Sequence, residues 1–579
     1  EAVEITQLAL WIRTAQRGKT LADLTRNIKC GNSVVDDREV TAEAFDWHGE
    51  FARVFDAGGF DCVVSNPPYV KLQNFRRREP EIAGYLPKRY RSAQTGNFDM
   101  YLPFIERGVE LLRGDGRMGF IAPSLWLFNE YGRGLRGLIA ERRALERFVD
   151  FKSFQVFRDA TTYTALQFFA GSPRDKIQVA DAGDGNVEKL GFHDVSYRGR
   201  GEQAWALLCE RDQDILDRMR ANSVTLADAS AAIIVGIQTS ADAVYHLIKL
   251  GPGRYFSKAL KGEVEIDDDI MKPLVSGEDA VPFATPPTDK YLLFPYHVTD
   301  DECRLFTENE ISKRFKYAWA YLRENEETLR ARESRKFDDD EWYRFGRHQN
   351  IDKQYLPKIG IPETVSHLSG FIDPRGERCF NNVRVNGILE LEDRAYSLWF
   401  VLALVNSHAL DFCFRRTAKP KDREYFEANK QFIAPLPIPK TKDQKPLAGI
   451  ARKLADLHRR RLDAHARVHR RFVTDLWPAE LLSTSPLPPP LPLRIRDFDK
   501  QARGKVLDEL QKFAKRRFKR GERDDWEDYL TKQTDGLAKI NNGIRDLVGE
   551  LNDRVYRLFG LPKDAIKTIE AESAPHTPR

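Results

Sequence analysis

The sequence predicts an α/β fold in which a parallel or mixed sheet precedes a second mixed α/β domain and a helical C-terminal region. Three observations favour this fold. Strand-like runs alternate with helical stretches at the start of the chain. Aromatic-rich segments follow in which apolar and polar residues alternate, with scattered Pro and Gly. In the last part of the chain, apolar residues recur at the spacing of long amphipathic helices. The predicted domains are 1–186, 187–440 and 441–579, with a Pro-rich spacer at 485–493.

The composition favours a globular protein of several domains. The 579 residues are too many for one hydrophobic core, and 41% hydrophobic with 31% charged residues is typical of folded proteins. No apolar run approaches the roughly 20 residues that span a bilayer, so we expect no membrane partner. The six cysteines have no paired spacing, which disfavours a disulfide framework or metal site and favours a cytoplasmic protein. The net charge of +5 is too small to indicate nucleic-acid binding by itself, so any such indication comes from local basic clusters.

Individual elements follow from periodicity and turn residues. Gly114, Gly116 and Gly119 have the spacing of a dinucleotide-binding loop, but they close a helix and open a strand, so we interpret them as an ordinary turn. The predicted helices are 1–13, 98–112, 135–145 and a single buried helix at 397–414. The predicted strands include 60–65, 147–151 and 163–170, while 28–37 is predicted to form a short strand and turn and 117–127 a strand followed by a loop.

The candidate site lies where the strand 60–65 ends in Asn66, Pro67, Pro68 and Tyr69. Ligands of open α/β sheets bind at the carboxyl ends of strands. The Asn66 side-chain oxygen and the Pro67 carbonyl are acceptors, the diproline restricts their directions, and Tyr69 offers an aromatic face. Together they suit a planar group with an NH2, such as adenine, cytosine or a glutamine amide. A structural diproline turn is the alternative, and Phe157 is either a second stacking face or a core residue.

These motifs resemble the γ-type DNA N6-adenine methyltransferases, in particular the single-chain methylase–specificity proteins of Type IIG restriction–modification systems and their phage-defence relatives. The resemblance rests on the order of "EAVEITQLALWIRTAQRG", "FDCVVSNPPYVKLQ", "GNFDMYLPF", "VGIQTSADAVYHL" and "FEANKQFIAPLPIPK", and it covers nearly the whole chain. It implies a partial Rossmann-like methyltransferase sheet, a target-recognition domain and C-terminal helices.

The resemblance also implies roles for single residues. Asn66 and Pro67 would accept hydrogen bonds from the adenine amino group, while Tyr69 and Phe157 would hold the flipped base. The methyl donor would be S-adenosyl-L-methionine, contacted by Asn32, Ser33 and Asn66. The family's Gly-rich donor loop would lie upstream of residue 1, so we expect an N-terminally truncated chain. A nuclease is expected upstream in the same polypeptide or as a separate subunit.

Double-stranded DNA is the expected partner, because base flipping requires a gripped duplex. Arg suits guanine and Gln suits adenine, although each such residue has the alternative of a solvated side chain or a phosphate contact. The residues predicted to contact DNA are Lys71, Gln73, Gln238, Thr239, Arg344, Arg347, Lys419 and Lys421, with His348, Gln349 and Arg423 in the same motifs.

The sequence therefore predicts a site-specific DNA adenine N6-methyltransferase of a restriction–modification or phage-defence system. Two alternatives remain open. One is a methyltransferase of RNA or of a protein glutamine with the same Asn-Pro-Pro-Tyr site, which a second domain of roughly 200 residues disfavours. The other is a non-catalytic DNA-recognition fragment, since the donor loop is not in this sequence.

Overall fold

The computed structural model describes residues 2–16, 19–21, 23–157, 163–299, 302–382, 384–390, 396–421, 424–478 and 491–573. The chain divides into two compact units, Glu1–Gln213 and Asp214–Arg579. The division falls within a helix, α8, which spans Glu210–Ala221. The two units are described separately below.

A six-stranded mixed sheet forms the centre of the first unit. Its strands are β1 Phe60–Ser65, β2 Leu112–Pro123, β3 Leu145–Asp150, β4 Thr164–Ala170, β5 Lys176–Asp181 and β6 His193–Ser196, in the order β1-β2-β4-β3-β5-β6. β1 runs parallel to β2, β3 runs parallel to β5, and β4 is antiparallel to both of its neighbours. β1 forms one edge of this sheet, with the Val64 side chain 77% exposed.

Helices cover the face of the sheet that bears Met118 and Phe120. These two side chains and those of the helices α5, α6 and α7 belong to one large core, whereas Ile121, which points the other way, contacts a smaller cluster around Val149. This alternation is the period-two pattern of a strand buried on both faces. The helices of the unit are α1 Ala2–Thr14, α2 Trp47–Glu50, α3 Ala52–Asp56, α4 Leu72–Arg76, α5 Pro80–Arg89, α6 Tyr101–Glu110 and α7 Arg133–Arg142.

Most sequence predictions for the first unit are confirmed, and one strand is wrong. Gly114, Gly116 and Gly119 lie inside β2 just after α6, so the predicted helix-to-strand order is present, but the glycines belong to the strand rather than to a turn. The strand predicted within 28–37 does not form, since the segment makes only an isolated bridge between Asn32 and Ala44. The segment forms a turn, in which the Asn32 side-chain oxygen accepts a hydrogen bond from the backbone amide of Val34.

The second unit contains several small sheets. A six-stranded sheet has the order β11-β10-β9-β13-β12-β19, and a four-stranded sheet has the order β18-β16-β20-β8. The strands are β7 Ser223–Thr225, β8 Ile233–Val235, β9 His246–Gly251, β10 Arg254–Ser257, β11 Gly262–Glu265, β12 Met271–Val275, β13 Lys290–Leu293, β14 Tyr296–Val298, β15 Cys303–Leu305, β16 Lys358–Pro362, β17 Thr364–Val365, β18 Phe371–Asp373, β19 Cys379–Phe380, β20 Val385–Leu389, β21 Pro420–Lys421, β22 Tyr425–Glu427 and β23 Pro437–Pro439.

Helices are short in the first part of this unit and long near its end. They are α9 Leu226–Ala229, α10 Asp242–Tyr245, α11 Glu308–Arg314, α12 Lys316–Glu324, α13 Glu326–Arg330, α14 Arg332–Arg335, α15 Leu398–Val405, α16 His408–Thr417, α17 Lys430–Ile433, α18 Lys445–Leu476, α19 Leu493–Arg496, α20 Arg503–Phe513, α21 Arg520–Leu558 and α22 Lys563–Glu572. The helical C-terminal region is thus confirmed, and α21 ends just before Gly560, which has φ 62°.

The single helix predicted at 397–414 is wrong, because two helices, α15 and α16, bend by 67° at Asn406 and Ser407. The Ser407 side chain caps α16 by accepting from the Leu410 amide, and the Asn406 side chain bonds to the backbone of Gly370. Within the described ranges no single helix is long and apolar enough to cross a membrane, and this bent pair alone passes that test as a combined stretch.

The mixed α/β fold class is confirmed by both units. The sheet of the first unit extends to Ser196, past the predicted boundary at residue 186. The C-terminal helices belong to the same compact unit as residues 214–440. Residues 485–490 of the predicted spacer lie outside the described residues.

Candidate active site

The Asn66–Tyr69 loop lies at the carboxyl edge of the first unit's sheet. Ser65 pairs with Phe120, so the loop begins where the parallel strands β1 and β2 run side by side. The Tyr69 hydroxyl donates a hydrogen bond of 3.0 Å to the Ile121 carbonyl, which fastens the loop to β2. Pro67 is buried, whereas the Asn66 side chain is exposed.

Phe157 reaches the same edge by the antiparallel strand β4. Thr164, the first residue of β4, pairs with Pro123, the last residue of β2, so β4 begins beside the carboxyl end of β2. The ring centroids of Tyr69 and Phe157 lie 6.2 Å apart with an interplanar angle of 67°. The two rings therefore meet edge to face and line one surface.

The chemical state of this surface follows from burial. Burial raises the pKa of Tyr69 to about 12, so its hydroxyl stays protonated and donates to Ile121 at neutral pH. In the part of the chain that the structure describes, no hydrogen bond engages the exposed Asn66 amide. Its oxygen and NH2 are both available to a ligand.

Asn32 and Ser33, the residues predicted to contact the methyl donor, lie in a rigid turn. One acceptor site of the Asn32 side-chain oxygen is used by the Val34 amide at 3.2 Å, and the Ser33 carbonyl accepts from Trp47 Nε1 at 3.0 Å. Asn32 is half-buried, and a second acceptor site and the amide NH2 remain on its side chain. The free acceptor site and the NH2 group of Asn32 fit an amino-substituted aromatic ring such as the adenine of S-adenosyl-L-methionine.

A partly buried network that the sequence did not indicate holds this turn in place. The Tyr90 hydroxyl donates to the Val34 carbonyl at 2.9 Å, and Arg107 donates to Tyr90 at 2.8 Å and to the Asp36 carboxylate at 2.6 Å. Tyr85 also donates to Asp36. Partial burial opposes ionisation of Asp36, but these hydrogen bonds and the Arg charges outweigh it and lower its pKa to about 2. Asp36 is therefore ionised at neutral pH and anchors the turn.

Lys71 and Gln73, the predicted DNA contacts of this unit, follow the loop directly. Both side chains are exposed, and Lys71 forms an isolated antiparallel bridge with Asp99. Burial raises the pKa of the Asp99 carboxyl, which also bonds to Tyr131. The loop after Tyr69 is thus tied to the strand-like segment that precedes α6.

The predicted contacts around Gln238 in the second unit have different surroundings. Gln238 is half-buried, whereas Thr239 is fully buried and its hydroxyl donates to Asp242 at 2.5 Å. In this conformation the Thr239 side chain supports the loop from inside, and the direct DNA contact of Thr239 stays a prediction. Arg344 forms a bidentate pair with Asp339, so its guanidinium is already engaged.

The remaining predicted contacts of this unit lie at its surface. Arg347 is exposed and donates to Glu333 at 2.9 Å. Lys419 pairs with Glu427 at 2.9 Å, and Lys421 donates to Thr364 at 3.0 Å. His348 and Gln349 are exposed, and Arg423 lies outside the described residues. Among the residues that can be placed, no group of three His, Cys, Asp or Glu side chains could hold a metal ion.

Comparison with known proteins gives this site its context. Among curated proteins, the chain is similar to the Type II restriction enzyme and methyltransferase RM.Eco57I of Escherichia coli, with 24% identity over 68% of this chain and 41% of that protein. It is also similar to the Type II methyltransferase M.XhoI of Xanthomonas vasicola, with 26% identity over 52% of this chain and 55% of that protein. The chain thus spans about half the length of the curated relatives it matches.

A solved structure and a family model complete the comparison. The DNA complex of the Type IIL restriction–modification enzyme MmeI has a TM-score of 0.48 and 11% identity, covering 86% of this chain and 59% of that one. The model of the Eco57I restriction–modification methylase family matches residues 1–157, the segment that carries the Asn66–Tyr69 loop, Asn32 and Phe157. Residues 1–157 are therefore similar to the Eco57I-type restriction–modification methylases.

Proposed function

We propose that this chain is the methyl-transferring and sequence-reading part of a site-specific DNA methyltransferase that modifies adenine at N6. The observation that carries this proposal is the Asn66–Tyr69 loop, with an exposed Asn66 amide and a tethered aromatic ring at the carboxyl edge of the sheet. The family match of residues 1–157 supports a methylase of a restriction–modification system.

The loop residues suit an aromatic amino group. The lone pair of such a group is delocalised into its ring, so the nitrogen is a poor nucleophile. Hydrogen bonds from its two N–H groups to Asn66 Oδ1 and to the Pro67 carbonyl favour a more tetrahedral nitrogen and orient its lone pair. Removal of one such preorganised partner typically lowers the rate by about 100- to 1,000-fold.

Tyr69 and Phe157 suit the ring of a flipped base. Flipping requires a few kcal/mol, and stacking on an aromatic side chain contributes about 1–3 kcal/mol per base. The bond from Tyr69 to Ile121 fixes the position of the ring before the base arrives, so little side-chain entropy is lost on binding.

S-Adenosyl-L-methionine is the proposed methyl donor, and it supplies an electrophilic methyl group when bound. Asn32 and Ser33 would hold its adenine, and Asn66 would line the path between donor and target. The turn that carries Asn32 is anchored through Val34 and Asp36, so these residues position the donor rather than react with it.

Methyl transfer from radiolabelled S-adenosyl-L-methionine to duplex DNA tests the proposal, with the protein expressed at the full length encoded by its gene. We expect label on N6 of adenine at one sequence motif, and Asn66→Ala to lower the rate at least about 100-fold. Asn186→Ala, a change of an exposed asparagine in the same unit, is the matched control. Label on RNA or on protein glutamine but not on DNA would overturn the proposal, as would full activity of Asn66→Ala.

A further inference from the structure

Three consecutive residues of α14 adopt the left-handed backbone conformation, so this segment is a kink rather than a regular right-handed helix. Glu333, Ser334 and Arg335 have φ of 46°, 61° and 65°, and none of them is glycine. Left-handed backbone is disfavoured for L-residues and normally occurs at single positions. A run of three persists only when the surrounding structure imposes it, and such strain is concentrated at functional sites.

Arg332 precedes this run and bonds to distant parts of the second unit. Its guanidinium is buried and donates to the carbonyls of Leu329 at 2.7 Å, Thr239 at 2.8 Å, Trp342 at 2.6 Å and Arg344 at 3.0 Å. The guanidinium also lies over the Phe337 ring, 4.0 Å from its centroid, so carbonyls and an aromatic face together offset the cost of burying the charge. Because the four carbonyls come from three parts of the sequence, Arg332 fixes those parts relative to one another.

Further hydrogen bonds join the same three segments, Gln238–Ser240, Arg332–Arg335 and Arg344–Gln349, which we call the loop junction. The Gly346 amide donates to the Thr239 carbonyl at 3.1 Å, and the Arg347 amide donates to the Gln238 carbonyl at 3.2 Å. The Glu333 carboxylate accepts from Ser240 at 3.0 Å and from Arg347 at 2.9 Å. A methyl group at Gly346 would come within 2.0 Å of the Ser240 hydroxyl oxygen, so the segments are in tight contact.

Two of the three left-handed residues, Ser334 and Arg335, present exposed side chains. Ser334 is exposed, and within the described chain no hydrogen bond engages its hydroxyl, which can donate and accept. The Arg335 side chain is 57% exposed and pairs with Asp338 at 3.0 Å. A surface pair of this kind is weak, so a guanine edge or a phosphate can replace the carboxylate.

We propose that Ser334 and Arg335 are specificity-determining residues that read base edges in double-stranded DNA, and that Arg332 is the positioning residue that holds them in left-handed backbone. This inference rests on the proposed function and adds a reading element that the sequence did not indicate. Left-handed backbone is usually indicated in a sequence by Gly or Asn, and the segment around Ser334 and Arg335 contains neither.

The test separates the effect of backbone strain on stability from the effect of the side chain on base preference. Glycine adopts left-handed backbone without a steric penalty, so Ser334→Gly and Arg335→Gly remove the side chain while relieving strain. We expect a Tm equal to or above that of the parent for Ser334→Gly. At the same time, selection from a pool of duplexes with a randomised core should lose preference at one or two base pairs, by roughly 5- to 150-fold.

Lys261→Gly is the matched control, because Lys261 is an exposed residue of the same unit with φ 55°. It should raise or preserve the Tm and leave the selected sequence unchanged. Arg332→Lys provides a second test, since lysine keeps the charge but cannot reach four carbonyls. Its folded fraction should bind with relaxed preference at the base pairs that the glycine variants affect.

Unchanged selection by both glycine variants would overturn the inference, and so would a parent protein that selects no sequence. Methylation of the selected duplexes is measured separately. A parent that selects a sequence but transfers no methyl group would refute the proposed function alone, because the base preferences of the Ser334, Arg335 and Arg332 variants would still decide the inference.

Discussion

The clearest single test of the active-site geometry separates the two roles of Tyr69, which are its tether to β2 and its aromatic face. Tyr69→Phe removes the 3.0 Å hydrogen bond to the Ile121 carbonyl and keeps the ring. A bond of this kind contributes about 1 kcal/mol, so methyl transfer should slow by roughly fivefold. Tyr69→Leu also removes the stack of about 1–3 kcal/mol, which gives a total loss of roughly 30- to 900-fold.

Single-turnover methyl transfer measures these losses, once the methylated motif is mapped by sequencing. A duplex with a mismatch opposite the target adenine lowers the free energy needed for flipping. On a duplex whose mismatch already makes the flipped base the main population, the Tyr69→Leu defect should shrink towards the Tyr69→Phe defect, because the stack can then add little to the flipped population.

The reasoning is refuted if the two variants react at equal rates on the matched duplex. It is also refuted if the mismatch leaves the Tyr69→Leu defect unchanged. Tyr317→Leu, which alters an exposed tyrosine of the second unit, controls for a general effect of replacing a surface ring.

Two further predictions concern stability. Asp36 has a pKa of about 2 in the folded chain against 3.8 when free, so its stabilising effect is present above about pH 4 and is lost as the pH falls towards 2. The Tm difference between the protein and Asp36→Asn should therefore be constant near neutral pH and narrow in this acid range. Lys358 and Asp373 form a pair at 2.8 Å with 0% and 1% exposed side chains, and Asp373→Asn should reduce the free energy of unfolding in urea by about 3–5 kcal/mol.

Matched aspartates serve as controls for both measurements. Asp56→Asn and Asp340→Asn alter exposed carboxylates of the first and second units, and both should leave the Tm nearly unchanged. A Tm difference for Asp36→Asn that stays constant down to pH 2, or a loss below about 1 kcal/mol for Asp373→Asn, would contradict the assigned interactions.

The elements around the active site were predictable because their signals are local. The β-branched run of β1 ends at two prolines, and the glycines at the start of β2 follow a helix whose apolar face is regular. The edge position of Asn66–Tyr69 follows from that order, since parallel strands end at the same side of a sheet. Phe157 joins Tyr69 because β4 pairs with the end of β2, which a strand prediction could suggest but not establish.

Features that depend on distant partners were not predictable. Arg107 and Asp36 are 71 residues apart in sequence, and no local pattern indicates that their side chains meet. The bend at Asn406 also depends on a remote partner, the backbone of Gly370. Threonine is a residue type that can contact bases. Only the burial of Thr239 and its hydrogen bond to Asp242 show that its side chain supports the loop from inside.

The loop junction has a consequence for how target specificity can be exchanged between related proteins. Thr239 lies 93 residues before Arg332, and each segment of the loop junction is hydrogen-bonded to the others. Grafting one segment into a homologue would transfer its side chains without the partners that orient them. Recombination that changes the recognised sequence should therefore move the block 238–349 as a whole, and hybrids with a breakpoint inside that block should fold poorly or lose selectivity.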